Sequence, residues 1–298
     1  MSRSNVQLLH RDKIDLQAWD AAVTEHAYGL SWWLDAVTDG RWWGIVAGDY
    51  RCVIPLPVRL NAGPLKLVDS VPFTQHCGPH GLLPADPLEL LKAVPNSWRI
   101  RSLRLYLANV YPAANPRFNF QPRTNYELDL NAPYTDLAKG YRADLRRKLR
   151  DHLPTPPDTW DAGAFVAFYR EHTGNRFGMK AREYKIMRRL LDTAEAHGAG
   201  NIYVLRGTQD EPVAALFIAR RGRRLINLMA SSSTAGFRQH GMARLLDAVI
   251  REFAGRNFLL DFEGSDIKGV ATFFRGFGAE RVAYQQLGDH SLVPTIFP

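Results

Sequence analysis

The chain has only two cysteines, Cys52 and Cys77, and neither forms a CxxC pair or sits with histidines at zinc-ligand spacing. This excludes a disulfide-stapled secreted scaffold and fits a reducing cytoplasm. No window approaches 18 apolar residues, so no integral membrane span is expected. Charged residues at the start, Arg3, Arg11 and Asp12, interrupt any secretory-type apolar stretch, and no low-complexity tract follows. A Gly-x-Ser-x-Gly elbow is missing, and neither cysteine has neighbours that would lower its pKa, which argues against a covalent nucleophile. The nine histidines lack paired ligand spacing; they read as surface or packed residues, and no metal is expected.

What is present describes a folded protein. With 298 residues, 46% of them hydrophobic and seven of them tryptophan, the chain suits two domains of about 150 residues each. A net charge of +8, from 38 Lys plus Arg against 30 Asp plus Glu, favours an anionic partner such as phosphate, nucleic acid or an acidic membrane surface. A generally basic proteome explains the same number, and no feature sets an oligomeric state.

Residues 15–40 are predicted helical, with Trp32, Trp33, Trp42 and Trp43 as a core patch, and 51–60 alternates as a strand. The Gly- and Pro-rich stretch 71–81 reads as a structured loop of the kind that lines a site. Further alternations at 102–107 and 126–130 carry the first domain's strands to about residue 130. Leu137, Tyr141, Leu145 and Leu149 predict an amphipathic helix from Tyr134 with a basic outer face, stopped by a candidate linker at Pro154, Pro156 and Pro157. Helical spacing at 165–169 and 184–196 gives way to a three-strand meander at 201–206, 212–220 and 224–231. A helix at 242–253, a buried strand at 258–262, a helix at 270–274 and a strand at 283–287 complete an α/β (α+β) pattern.

The segment Arg238-Gln239-His240-Gly241-Met242-Ala243 falls where the meander hands over to a helix. Free N–H groups and the positive dipole end of a helix N-terminus attract an anion, small residues let a pyrophosphate approach, and Arg238 adds a counter-charge. An ordinary loop before a helix is the plain alternative.

In this context the chain resembles the GNAT acyltransferase superfamily, whose donor motif is Arg or Gln, two residues, Gly, one residue, then Gly or Ala, here Arg238, Gly241 and Ala243. The resemblance implies acyl-CoA as a co-substrate rather than a permanent cofactor. Its pyrophosphate would lie on residues Arg238 to Ala243, including Gln239, His240 and Met242, and its pantetheine arm along Met229, Ala230 and Ser231. The next strand should then diverge to open an acceptor cleft. Residues 260–265 and 273–279 further resemble the FemAB-type branch, whose members repeat the fold; Phe274 stands where relatives carry a lysine, and Arg275 is a candidate substitute for its charge. Two tandem GNAT-like domains are therefore implied, each a mixed, mostly antiparallel sheet flanked by helices. A degenerate one at 1–132 would lend cleft walls including Gln75 and His76, and one at 133–298 would hold the donor site.

An amine acceptor must lose a proton as it attacks, so Asp261 and Glu263, two apart on the expected strand, are candidate bases, Glu263 first; helix capping is the equal alternative for each. Ser265 and Tyr284 are candidates to protonate a leaving group, with Tyr284 also a substrate contact. Three functions follow: an acyl-CoA-dependent N-acyltransferase acting on a small amine, a FemAB-type aminoacyl-tRNA-dependent transferase, or a non-catalytic binding protein on the same fold. The second would hold tRNA phosphates on Arg142, Arg146, Arg147, Lys148 and Arg150, a cluster that a solvated helix face explains as well.

Overall fold

The computed structural model describes residues 5–107, 117–150, 158–264 and 266–292. It divides into two compact units, 1–123 with 283–298, and 124–282, against the 132/133 division expected from sequence. The proline cluster lies outside the described residues.

Unit 1 contains β1 (Val6–His10), α1 (Leu16–Ala22), α2 (Ser31–Thr38), β2 (Trp42–Ala47), β3 (Cys52–Ala62), β4 (Leu65–Val68), β5 (His80–Gly81), β6 (Arg99–Ile100), β7 (Leu103–Leu105) and the start of β8 (Phe118–Asp129). Its sheet runs β1-β2-β3-β4-β6 with β5 on β3, antiparallel except for the β4–β6 pair. The single helix predicted at 15–40 is two. Asp15 caps α1 by accepting from the Gln17 and Ala18 N–H groups, and Asp20 accepts from both the N–H and the hydroxyl of Ser31 at 2.6 and 2.7 Å, starting α2 afresh. Trp19, Trp33 and Trp42 are fully buried, and their indole N–H groups bond Gly29 O, Thr74 Oγ1 and Asp35 Oδ1, which is how large aromatics with a polar atom are tolerated in a core. Trp32 and Trp43 are half-buried.

Unit 2 follows with α3 (Tyr134–Lys139), α4 (Ala143–Arg150), β9 (Asp158–Thr159), α5 (Ala162–Tyr169), which continues as a π-helical turn at Arg170–Gly174, and α6 (Ala181–Ala196). Then come β10 (Gly200–Arg206), β11 (Pro212–Arg221), β12 (Arg224–Ser232), α7 (Thr234–Arg238), α8 (Gly241–Phe253), β13 (Leu259–Asp261), α9 (Lys268–Gly276) and the start of β14 (Glu280–Asp289), most of which belongs to unit 1. Its sheet order is β8-β13-β12-β11-β10-β9, antiparallel except for β12 against β13. Within unit 1, β14 pairs with β7 through Leu287↔Leu103. On α8, Leu245, Leu246, Val249, Ile250 and Phe253 recur at helical spacing and pack on Leu216, Leu225 and Leu260 of the sheet.

The helix predicted from Tyr134 breaks at residues 140–142 because Arg142 N–H leaves the ladder to bond Gly276 O at 2.9 Å, satisfying a carbonyl at the end of α9. Asp247 of α8 then anchors both halves, accepting from the Tyr134 and Tyr141 hydroxyls at 2.9 and 3.0 Å and from Arg251 Nε at 2.8 Å.

Candidate active site

The expected glycine turn is a joint between two helices rather than a direct strand-to-helix handover. Ser233 ends β12 and caps α7, its hydroxyl accepting from Gly236 N–H at 3.1 Å. Arg238 closes α7; His240 then takes a left-handed conformation (φ 55°), and α8 starts at Gly241 without a side-chain cap. Among the described residues, the N–H groups of Gly241, Met242 and Ala243 have no acceptor. Arg238 is exposed and forms no ion pair among the described residues. Gln239 and His240 are half-buried, and Ala243 is buried.

The missing side chain of Gly241 points into the protein: a Cβ there would come within 3.1 Å of Ala214 Cβ and 3.3 Å of Gly236 O. A side chain here would be tight against β11 and α7, and any close approach of an anion falls to the N–H groups.

Sequence reasoning passed over Arg244. It sits in the first turn of α8, half-buried and without an ion pair among the described residues, with burial holding its pKa below the ordinary arginine value. A cation beside the positive end of a helix is unfavourable by roughly 0.3–1 kcal/mol, so a second arginine here suits a bound anion. Its position four residues after His240 was the available signal.

Beside this turn the sheet opens. β12 pairs with β13 only at Arg224, Leu225 and Ile226, while β12 runs on to Ser232, so residues 227–232 have no strand partner on that side among the described residues. A bulge against β11, where Phe217 faces Met229 and Ile218 faces Asn227, turns the strand at the same place. The divergence matches what the resemblance implies. Asn227, one residue past the last pair, is buried and its Oδ1 has no hydrogen-bond partner. Met229 and Ser231 are buried and Ala230 is half-buried; the Ser231 hydroxyl lies 2.8 Å from Thr173 Oγ1, joining the π-helical turn to β12.

The two candidate carboxylates have different surroundings. Asp261 is fully buried, with Arg224 Nη1 donating to its Oδ2 at 2.9 Å and the Glu263 N–H donating to its Oδ1 at 2.9 Å. The same Arg224 nitrogen also donates to Glu127 at 2.7 Å. Burial pushes the Asp261 carboxyl up to about 6 against the opposing pull of Arg224. β13 ends at Asp261, and Glu263 takes a left-handed conformation (φ 58°), so the strand alternation expected to put both carboxylates on one face stops before Glu263. Asp261 holds the turn that presents a half-buried Glu263. Tyr169 comes close enough to feel it: burial first, then Glu263 and Tyr184, push the Tyr169 phenol up to about 12. The Tyr184 hydroxyl is buried without a partner, against Gly174. No local pattern marks Tyr169 and Tyr184; the π-helical turn between α5 and α6 brings them in.

The remaining candidates lie elsewhere. Gln75 and His76 are buried in unit 1, where His76 Nε2 is 3.1 Å from His26 Nδ1 among Tyr28, Tyr106 and His80. Tyr284 is buried in β14, within unit 1. Ser265 lies outside the described residues. Phe274 packs on Phe262 at 5.0 Å, and Arg275 is exposed and bonds Thr272. Burial pushes the Cys52 and Cys77 thiols up to about 11 and about 12, far from a reactive thiolate. Among the described residues no helix is long and apolar enough to cross a membrane, and no three His, Cys, Asp or Glu residues converge as metal ligands.

Residues 139–265 match the family model of the acetyltransferase (GNAT) domain. No curated protein matches the sequence significantly. Among solved structures, FemX superposes with a TM-score of 0.64 at 13% identity over 94% of this chain and 96% of its own. The C-terminal domain of a putative lysylphosphatidylglycerol synthetase from Agrobacterium fabrum gives 0.56 at 12% identity over 92% and 91%. L-PGS from Bacillus licheniformis gives 0.54 at 15% identity over 95% and 93%. With its splayed β12–β13 pair and its uncapped α8, the segment matched by the acetyltransferase (GNAT) model, residues 139–265, lies within a chain whose overall fold is like that of FemX.

Proposed function

We propose that this chain is an acyltransferase that moves an acyl group from acyl-CoA to an amine by direct attack. The observation that carries the reading is the N-terminus of α8, where three N–H groups without acceptors lie between Arg238 and Arg244, following a strand whose second half is unpaired on one side. A pyrophosphate suits the first feature. An extended pantetheine arm suits the second, with backbone bonds from Met229 to Ser231. In the reaction the amine nitrogen attacks the thioester carbonyl carbon, Glu263 takes the amine proton, the C–S bond breaks, and the thiolate leaves as coenzyme A.

Coenzyme A at tenfold excess over its dissociation constant should raise the stability of the wild type by about 1.4 kcal/mol in a thermal shift. Arg238→Ala should weaken coenzyme A about tenfold, the loss of one charge-assisted contact. Glu263→Gln should leave that affinity intact and lower turnover. A wild type that ignores coenzyme A would overturn the reading. The exposed Arg146, Arg147, Lys148 and Arg150 of α4 favour a second donor, aminoacyl-tRNA. If charged tRNA alone shifts the melting point, and the shift fades as salt rises, the second reading replaces the first.

A further inference from the structure

Between the π-helical turn and α6, the surface of unit 2 carries a hollow of about 550 Å3 whose lining includes Arg170, Tyr184, Lys185, Arg188, Arg189 and Asp192. Four cations face one carboxylate there, and that carboxylate is taken: Arg188 Nε donates to both Asp192 oxygens at 2.8 Å. Arg170 and Lys185 have no carboxylate partner among the described residues. The Arg170 guanidinium lies over the Tyr184 ring, 5.3 Å from its centre, and among the described residues its N–H groups have no acceptor. These charges line an open concavity within the roughly 300–1,000 Å3 range of small-molecule sites. Like charges lining one hollow repel, and a bound anion relieves them.

Tyr184 lines the hollow, and Tyr169, next to Arg170 in the chain, feels both Tyr184 and the candidate base Glu263. We propose that the hollow anchors the acceptor through an oxyanion: the acceptor is a small amine that also carries a phosphate or carboxylate group, held by Arg170 and Lys185. The assignment of the ligand as acceptor rests on the acyl-transfer reading; the anion site itself does not.

Isothermal titration of phosphoethanolamine, β-alanine and ethanolamine into the wild type and into Arg170→Ala, Lys185→Ala and Arg238→Ala tests this, with coenzyme A titrated into each protein in parallel. Both groove residues are exposed, so their variants should fold. At least one of the two anionic amines should bind more tightly than ethanolamine, and whichever binds identifies the oxyanion. Each groove substitution should weaken it about tenfold, as expected for a lost charge-assisted bond, with coenzyme A affinity unchanged. Arg238→Ala should weaken coenzyme A and spare the amine. Anionic-amine affinity indifferent to both groove substitutions, or lost only in Arg238→Ala, overturns the site. Groove-dependent binding in a protein that ignores coenzyme A overturns the acceptor role along with the donor reading.

Discussion

The His80 ring gives unit 1 a built-in sensitivity to acid. It is buried, its Nε2 has no hydrogen-bond partner, and burial alone lowers its pKa from 6.5 to about 4. Its ring neighbours are His26 and His76, and Gly29 packs so closely on it that a Cβ there would overlap the imidazole. Charging His80 would bury a cation without a partner. The unfolded chain takes up this proton below about pH 6.5 while the folded chain resists it until about pH 4, so stability falls as pH drops through that window. The full difference corresponds to about 3 kcal/mol, of which about 2 kcal/mol should be lost between pH 7 and pH 5. Urea denaturation followed by tryptophan fluorescence suits the measurement, because Trp19, Trp32, Trp33, Trp42, Trp43 and Trp98 lie in unit 1 and only Trp160 lies in unit 2. The comparison is with His80→Phe, which removes the titration; its packing cost does not depend on pH and drops out of the difference. If wild type and His80→Phe lose the same stability between pH 7 and pH 5, the argument fails.

Asp261 should act in the opposite sense in unit 2: its folded pKa is raised from 3.8 to about 6, so wild type gains stability as pH falls from 6 towards 4, by up to about 3 kcal/mol, and Asp261→Asn should lack that gain in melting curves at pH 7 and pH 5. Gly236→Ala would drive a Cβ into the Val213 carbonyl and lift α7 off β11, costing about 1–3 kcal/mol and weakening coenzyme A in calorimetry, because α7 carries Arg238. Gly269→Ala, in α9 with nothing near the new methyl, should instead be neutral or stabilising by about 0.5–1 kcal/mol in the same melts. Phe262→Ala should cost about 3–5 kcal/mol by emptying the space between Phe274 and Phe277, measured by chemical denaturation.

The elements read most accurately from sequence are those whose surroundings are uniform along their length. The meander at β10, β11 and β12 is buried nearly throughout and bounded by glycines, and α8 buries one clean face, so period and punctuation suffice. Where one side-chain or backbone bond redirects the chain, the pattern misleads: Asp20 reaching Ser31 divides the helix expected at 15–40, and Arg142 reaching Gly276 divides the one expected from Tyr134. The joint from Arg238 to Ala243 is legible because its residues are consecutive in the chain. The rest of the candidate site is not, because Glu263 owes its placement to a left-handed turn held by Asp261, while Tyr169 and Tyr184 arrive through a π-helical turn about 90 residues earlier in the chain. Arg244 was hidden for a different reason: an arginine in an amphipathic helix looks ordinary until its lack of a partner is seen.

The path of β14 has a consequence for how the chain is made. Unit 1 is closed by residues near the C-terminus: Leu287 pairs with Leu103, and the Asp289 carboxylate accepts from the Ile100 N–H and from Arg117. A ribosome therefore finishes all of unit 2 before it emits the strand that unit 1 needs, so the N-terminal half, although synthesised first, is the one that must wait. Until then β7 lacks its β14 partner, and the nascent chain presents a sheet edge of the kind that chaperones and misfolded neighbours compete for.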